Sequence, residues 1–194
     1  MPPAPFGDKT ALMTLKNAFF VTGTDTDVGK TVAAAWLTLQ LGASYWKPVQ
    51  SGIDGTTDEQ SVRALTNMPD NRFFPSTYTL TQPLSPHESA RRDGVKIDMN
   101  KFALPTCNRP LIVEGAGGLM VPLNETHFVI DLIAQLSIPA ILVCRSGLGT
   151  INHTLLSLEA LRKRNIPIAG LIINGPKTPH NRQAIEEYAA FLGR

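Results

Sequence analysis

A segment rich in glycine and threonine carries the most specific chemistry in this sequence. Residues 23–31 read GTDTDVGKT and lie between a short apolar run and a segment rich in alanine and leucine. A loop of this kind between a strand and a helix binds phosphate, because glycine allows close approach and the N–H groups at the helix start face the anion. Lys30 can reach the β- and γ-phosphates of a nucleotide, and the Thr31 hydroxyl can ligate Mg²⁺.

The spacing of this loop departs from the usual phosphate-binding motif. Five residues, instead of four, separate Gly23 from Gly29, so Thr24 stands where a first glycine is expected. A chance Gly-Lys-Thr at a helix start is the alternative interpretation. The strand pattern before the loop and the helix pattern after it favour the phosphate-binding loop.

Glu114 is a candidate metal ligand. It follows the apolar run 111–113 and precedes the glycine-rich residues 115–118. The carboxyl ends of parallel strands meet at one edge of a sheet, so Glu114 is expected near the phosphate loop, where it could hold Mg²⁺ directly or through water. Taken alone, an acidic residue before glycines is more typical of a turn.

Alternating apolar and helical patterns predict the elements that position these residues. Residues 67–86 carry four prolines and little periodicity, which predicts a long surface connection. Strands that alternate with helices indicate an α/β fold, a single-domain P-loop NTPase with a mostly parallel central sheet and helices on both faces. Strands are predicted at 18–21, 45–49, 111–113, 140–144 and 168–173, and helices at 31–41, 58–65, 128–136, 150–164 and 182–192, with one more beginning at Ser85-Pro86.

Composition excludes several classes of protein. The 194 residues carry a net charge of only +2, which is too small for a protein that binds nucleic acid through a basic surface. The two cysteines and four histidines have no metal-ligand or disulfide spacing, and no apolar run approaches the ~20 residues of a membrane span. We therefore expect a cytoplasmic protein with a flexible leader at 1–17 and one domain at 18–194, whether translation starts at Met1 or Met13.

Five segments together resemble the dethiobiotin synthetases. They are GTDTDVGKT at 23–31, KPVQSG at 47–52, SPH at 85–87, EGAGG at 114–118 and INH at 151–153. The resemblance extends from about Phe19 to Asn174. It implies a homodimer with active sites at its interface, which uses Mg²⁺ and ATP, or another nucleoside triphosphate, to convert 7,8-diaminopelargonic acid and CO₂ to dethiobiotin. The reaction would pass through a carbamate and a carbamic-phosphoric anhydride.

The resemblance also implies roles for individual residues. Lys30 and Lys47 would be catalytic. The metal would be bound by Thr31, Asp58 and Glu114. The nucleotide would be bound by Asp27, Val28, Gly29, Lys30, Thr31, Val32, Asp58, Glu114, Gly115, Ala116, Gly117 and Asn174. The substrate would be bound by Thr26, Ser51 and Gly118, and by Gly149, Thr150, Ile151 and Asn152 of the neighbouring subunit.

Three of these residues have other possible interpretations. Without the surrounding motif, Lys47 is more typical of a surface lysine beside Trp46. Glu59 stands next to Asp58 and could take its place at the metal. Asn152, taken alone, is more typical of a helix cap.

Related P-loop proteins are the alternative families. Partitioning and septum-site ATPases carry a lysine early in the loop, where this chain has residues 24–26 (TDT), and they lack the Lys47-Pro48 motif. Synthetases of corrin biosynthesis usually carry an additional glutaminase domain, for which 194 residues leave no room. The sequence ends at Arg194, soon after Asn174, which predicts modest selectivity among nucleoside triphosphates.

Overall fold

The computed structural model describes residues 17–191, so nearly all of the predicted leader lies outside the described residues. Among residues 17–191, no helix combines the length and the apolar character needed to cross a membrane. The strands are β1 (Ala18–Gly23), β2 (Ser44–Trp46), β3 (Val49–Ser51), β4 (Phe73–Phe74), β5 (Tyr78–Leu80), β6 (Leu111–Gly118), β7 (Ala140–Arg145) and β8 (Ile168–Asn174). The helices are α1 (Lys30–Gln40), α2 (Asp58–Thr66), α3 (Pro86–Arg92), α4 (Val129–Leu136), α5 (Thr150–Lys163) and α6 (Pro179–Phe191).

The central sheet has six parallel strands in the order β4-β2-β6-β1-β7-β8. β6 lies between β2 and β1, both of which precede it in the chain. Parallel strands need crossover connections, which place helices on the faces of the sheet. The structure therefore confirms the α/β class and the parallel sheet.

Both faces of the sheet are buried, as predicted. On one face Ile112 packs with residues of α1 and α2. On the other face its neighbours Leu111 and Val113 pack with residues of α4 and α5. Successive side chains of a strand point to opposite faces, so one apolar run supplies both cores.

Pro48 divides the predicted strand 45–49 into two strands in different sheets, so that prediction is wrong. β2 belongs to the central sheet, whereas β3 pairs with β5 in a separate two-stranded sheet. Proline has no backbone N–H for a ladder, which explains why the pairing is interrupted there. The change of sheet places Ser51, at the end of β3, outside the central sheet.

The predicted surface connection 67–86 is also partly wrong. It contains β4, at the edge of the central sheet, and β5, and the side chains of Tyr78 and Leu80 are buried. Both strands are two or three residues long, too short to show a period in the sequence. The predicted helices are present, with α6 beginning at Pro179 instead of 182.

Candidate functional site

The phosphate loop connects β1 to α1 and is held in a conformation that requires glycine. Gly29 precedes α1 with a φ of 94°. A Cβ atom at this position would lie 2.1 Å from Nδ2 of Asn174, at the end of β8. The amide of Asn174 in turn donates to the carbonyl oxygen of Val28, at 3.0 Å. The end of β8 therefore packs against the phosphate loop and supports its conformation.

Lys30 begins α1 and its side chain is buried beneath the loop. Its Nζ donates to the carbonyl oxygen of Asp25, at 2.8 Å. Burial lowers the pKa of Lys30, and the nearby ammonium group of Lys47 lowers it further. A bound phosphate would therefore stabilise the charged form of the Lys30 ammonium group.

Thr31 lies between two carboxylates. Its Oγ1 is 2.9 Å from Oδ1 of Asp58, at the start of α2, and 2.9 Å from Oε1 of Glu114, on β6. One hydroxyl proton can serve only one of these oxygens at a time. Three oxygen atoms from three elements thus converge on one point.

Lys47 completes this cluster. Its side chain is only 3% exposed, and its Nζ lies 2.7 Å from Oδ2 of Asp58 and 3.4 Å from Oε1 of Glu114, which is 1% exposed. Burial lowers the pKa of Lys47, but Glu114 and Asp58 outweigh it, and the net pKa is raised. For Asp58, burial raises the pKa, but Lys47, together with Thr31 and Lys30, outweighs burial, and the net pKa is lowered. Lys47 is therefore a buried, charged residue and not the surface lysine of the alternative interpretation.

The structure separates Asp58 from Glu59. Glu59 pairs with Arg63 one turn along α2, at 2.8 Å, whereas Asp58 faces Thr31 and Lys47. Thr57 caps α2 and exchanges hydrogen bonds with Gln60, which fixes the start of the helix and with it the direction of Asp58. Of the two acidic residues, Asp58 is the one placed to hold a metal.

One cavity of about 750 Å³ joins most of the predicted site. Residues 83–86 also line the cavity; they were not among the predicted site residues, although the SPH motif at 85–87 was a signal for them. Ser51 also lines the cavity, and its Oγ is buried without a hydrogen-bond partner among the described residues. The predicted residues that line it are Thr26, Asp27, Gly29, Lys30, Thr31, Lys47, Ser51, Asp58, Glu114, Gly115, Ala116 and Gly117.

The other predicted residues lie around the cavity or away from it. Val28 is buried under the loop, and Val32 is exposed on the first turn of α1. Gly118 lines a separate surface hollow with Met120. Residues 149–152 begin α5 and do not line the cavity of their own chain.

Asn152 does not cap α5. Gly149 occupies the cap position with a φ of 87°, and Asn152 lies in the first turn with an exposed side chain. The simple cap interpretation of Asn152 is therefore wrong. Its amide is available to a molecule outside this chain.

The oxygen cluster fits magnesium better than it fits a metal that prefers nitrogen or sulfur. Among residues 17–191, no group of three or more His, Cys, Asp or Glu side chains could hold a metal ion. Magnesium is usually bound through one or two carboxylates, with waters and phosphate oxygens completing its shell. Thr31, Asp58 and Glu114 provide such a partial shell beside the phosphate loop.

Comparisons with known proteins place this arrangement in a family. The family described as AAA domain matches residues 17–191. The ATP-dependent dethiobiotin synthetase BioD of Paramagnetospirillum magneticum is 56% identical over 169 residues, 87% of this chain and 82% of that protein. This chain belongs to the dethiobiotin synthetase family.

Two further relatives have names from biotin biosynthesis. The BioD protein of Rhodopseudomonas palustris strain BisB18 is 52% identical over 155 residues, 80% of this chain and 74% of that protein. The biotin biosynthesis bifunctional protein BioCD of Bordetella avium is 50% identical over 170 residues, which is 87% of this chain but 37% of that protein. These dethiobiotin synthetase relatives favour a synthetase over the partitioning and corrin-pathway alternatives.

Proposed function

We propose that this protein is an ATP-dependent dethiobiotin synthetase that carboxylates 7,8-diaminopelargonic acid with CO₂ and closes the cyclic urea. The observation that carries the proposal is the convergence of Lys30, Lys47 and three oxygen ligands in one cavity that also reaches Ser51. Membership of the dethiobiotin synthetase family supports the choice of substrate. The reaction would take place in the cytoplasm, where ATP is supplied.

The chemistry requires two anions to meet. One amine of the substrate attacks CO₂ and loses a proton, which gives a carbamate. A carbamate oxygen then attacks the γ-phosphorus of ATP, the bond to the β-phosphate oxygen breaks, and ADP leaves. The second amine attacks the carbonyl carbon of the mixed anhydride, and phosphate leaves as the ring closes.

Fixed positive charge offsets the repulsion between carbamate and γ-phosphate. Lys30 at the loop and Lys47 across the cavity supply that charge from rigid, buried positions. Preorganised charge of this kind is the main source of catalysis in phosphoryl transfer. Magnesium, held by Thr31, Asp58 and Glu114, would offset further charge on the β- and γ-phosphates.

Thr26 and Ser51, which both line the cavity, would face the diamine and the carbamate. The buried Ser51 hydroxyl has an unused hydrogen-bonding capacity that a bound substrate would satisfy. Asn174 would contact the nucleotide base through Oδ1 or through the Nδ2 hydrogen that does not donate to Val28. The Oδ1 acceptor suits a base with an exocyclic amine.

The direct test measures product and phosphate together. Purified protein with ATP, MgCl₂, bicarbonate and 7,8-diaminopelargonic acid should release one phosphate for each dethiobiotin detected by mass spectrometry. Omission of either the diamine or bicarbonate should abolish phosphate release. Phosphate release that persists without the diamine would instead indicate an ATPase switch and overturn the proposal.

We also propose that the enzyme acts as a homodimer in which residues 149–152 serve the partner's site. The helix start at 149 is a favourable place for a substrate carboxylate, because N–H groups point outward there. Three large apolar side chains near this surface, Met120, Leu148 and Leu156, are exposed, with Leu148 fully so. An exposed apolar surface of this kind is typical of an interface.

A subunit-mixing experiment tests the shared site. A Lys30→Gln chain and an Asn152→Ala chain should each be weakly active alone. Refolded together, they should regain activity, because some sites of the mixed dimer then carry neither change. A mixed dimer that forms, as judged by mass spectrometry, but regains no activity would show that each site is built from one chain.

A further inference from the structure

Tyr45 contacts Glu114 from the core side of the site. Its side chain is fully buried on β2, and its hydroxyl donates to Oε2 of Glu114, at 2.9 Å. Tyr45 is two residues before Lys47, which directly follows β2, and both side chains contact Glu114. Neither the phosphate loop nor the family motifs include Tyr45.

The two oxygens of Glu114 have different neighbours. Oε1 is contacted by Thr31 and Lys47 and lies toward the cavity. Oε2 is contacted by Tyr45 and lies toward the core. A buried carboxylate needs hydrogen-bond donors for both oxygens. The Tyr45 hydroxyl supplies the donor on the core side and so holds the plane of the carboxylate.

We propose that Tyr45 is a positioning residue for the metal site, which holds Glu114 so that Oε1 is presented to magnesium. The inference rests on the proposed function to the extent that Glu114 is a magnesium ligand. Partners that orient a metal ligand in this way typically change metal affinity by about 10- to 100-fold when they are removed. Tyr45 is fully buried and does not line the cavity, so it would act through Glu114.

Tyr78 provides a matched control. It is also a buried tyrosine packed against an aromatic ring, with Phe102 at 5.5 Å where Tyr45 has Phe73 at 5.9 Å. Its hydroxyl accepts from the backbone N–H of Asp98, at 2.9 Å, and does not reach the site. Tyr78→Phe therefore removes a comparable buried hydroxyl without touching Glu114.

The experiment measures Mn²⁺ binding by electron paramagnetic resonance in protein saturated with a non-hydrolysable ATP analogue, with no diamine present. Tyr45→Phe should weaken Mn²⁺ binding by about 10- to 100-fold, whereas Tyr78→Phe should leave it unchanged. The affinity for the analogue in EDTA should be the same in all three proteins. Turnover of Tyr45→Phe should recover at high MgCl₂, which a general loss of folding would not allow.

A double-mutant cycle with Glu114→Gln keeps the test decisive if Tyr45→Phe also lowers the melting temperature. If Tyr45 acts through Glu114, adding Tyr45→Phe to Glu114→Gln should cause no further loss of Mn²⁺ affinity. Unchanged Mn²⁺ affinity in Tyr45→Phe, or full additivity in the cycle, would overturn the inference. Because no diamine is present, a protein that makes no dethiobiotin but shows the expected Mn²⁺ losses would refute only the proposed reaction.

Discussion

Two groups of charged side chains in this molecule use the same chemistry in opposite surroundings. At the end of the central strands, Lys47 and Glu114 are buried and their partners come from distant parts of the chain. On α3, Glu88 pairs with Arg91 and Arg92, three and four residues away, and Arg91 is 72% exposed. Water and salt compete strongly with the pairs on α3 and much less with the pair of Lys47 and Glu114. Ion pairs therefore say little about stability or function until their burial is known.

The largest difference is expected when the two lysines of the site are replaced. Lys47→Gln should lower turnover by at least about 10²-fold, because a preorganised charge is lost. It should also lower the free energy of unfolding by about 2–4 kcal/mol, since Glu114 stays buried without its cation while Asp58, 38% exposed, is partly hydrated. Steady-state kinetics and urea unfolding measure the two effects.

Lys30→Gln should separate these two effects. Its turnover should fall as far as that of Lys47→Gln, but its stability should hardly change, because the Lys30 ammonium group pairs with a carbonyl oxygen and not with a carboxylate. Lys163→Gln, at an exposed pair with Glu159, is the control for loss of a surface charge. Equal stability of the Lys47 and Lys30 variants would contradict the importance of the buried carboxylate partner.

The pair of Lys47 and Asp58 should also influence how stability varies with pH. The lowered pKa of Asp58 contributes stability that is complete above its usual value of 3.8 and is lost as the pH falls through the folded value. The raised pKa of Lys47 contributes stability that is complete below 10.5 and is lost at higher pH. The stability difference between wild type and Lys47→Gln should therefore be largest between about pH 4 and pH 10. A stability difference between the two proteins that grows below about pH 4 or above about pH 10 would contradict this explanation.

Arg145 and Asp25 form an intermediate case. Both are about half exposed, and Nη2 of Arg145 lies 2.9 Å from Oδ2 of Asp25, whose carbonyl oxygen accepts from Lys30. Arg145→Met should raise KM for ATP by up to about fivefold with little change in kcat, the scale of an exposed pair. Arg164→Met, which breaks a pair with Asp131 away from the site, should leave KM unchanged. A large loss of kcat in Arg145→Met would place Arg145 among the catalytic residues.

The smallest effect is expected on α3. The hydrogen bonds from Arg91 and Arg92 hold the pKa of Glu88 at about 2, so it is charged across the working range of pH. Glu88→Gln should nevertheless shift the melting temperature by no more than about 1 °C and leave turnover intact. Calorimetry should detect this small shift in low salt, and the shift should disappear in 1 M NaCl, where salt screens the pair. A loss comparable with that of Lys47→Gln would remove the distinction between the two clusters.

Local motifs explain what the sequence predicted well. The phosphate loop is continuous in the chain, and Glu114 follows an apolar run that is evident from the sequence, although β6 continues to Gly118. Tyr45 was missed because its contact with Glu114 depends on the pairing of β2 with β6, which no local pattern shows. The position of Tyr45 two residues before Lys47 was the available signal.

Long-range pairing also explains the errors in the fold. β3 and β5 are three residues each and exist only because they pair with each other. Apolar periodicity cannot detect strands of that length. The sequence shows that Pro48 would interrupt the hydrogen bonding of a strand. It does not show which sheet residues 49–51 join after the interruption.

The position of β6 between β1 and β2 has a consequence for folding. The contact between Thr31 and Glu114 joins residues that are 83 positions apart. On the ribosome the phosphate loop emerges long before its carboxylate partner, and β6 must then enter between two strands that were made earlier. Contacts of such separation form slowly, because a long loop must close first. Under the proposed function, nucleotide and magnesium would stabilise the finished sheet by mass action, and the complete oxygen cluster forms only once β6 has joined that sheet.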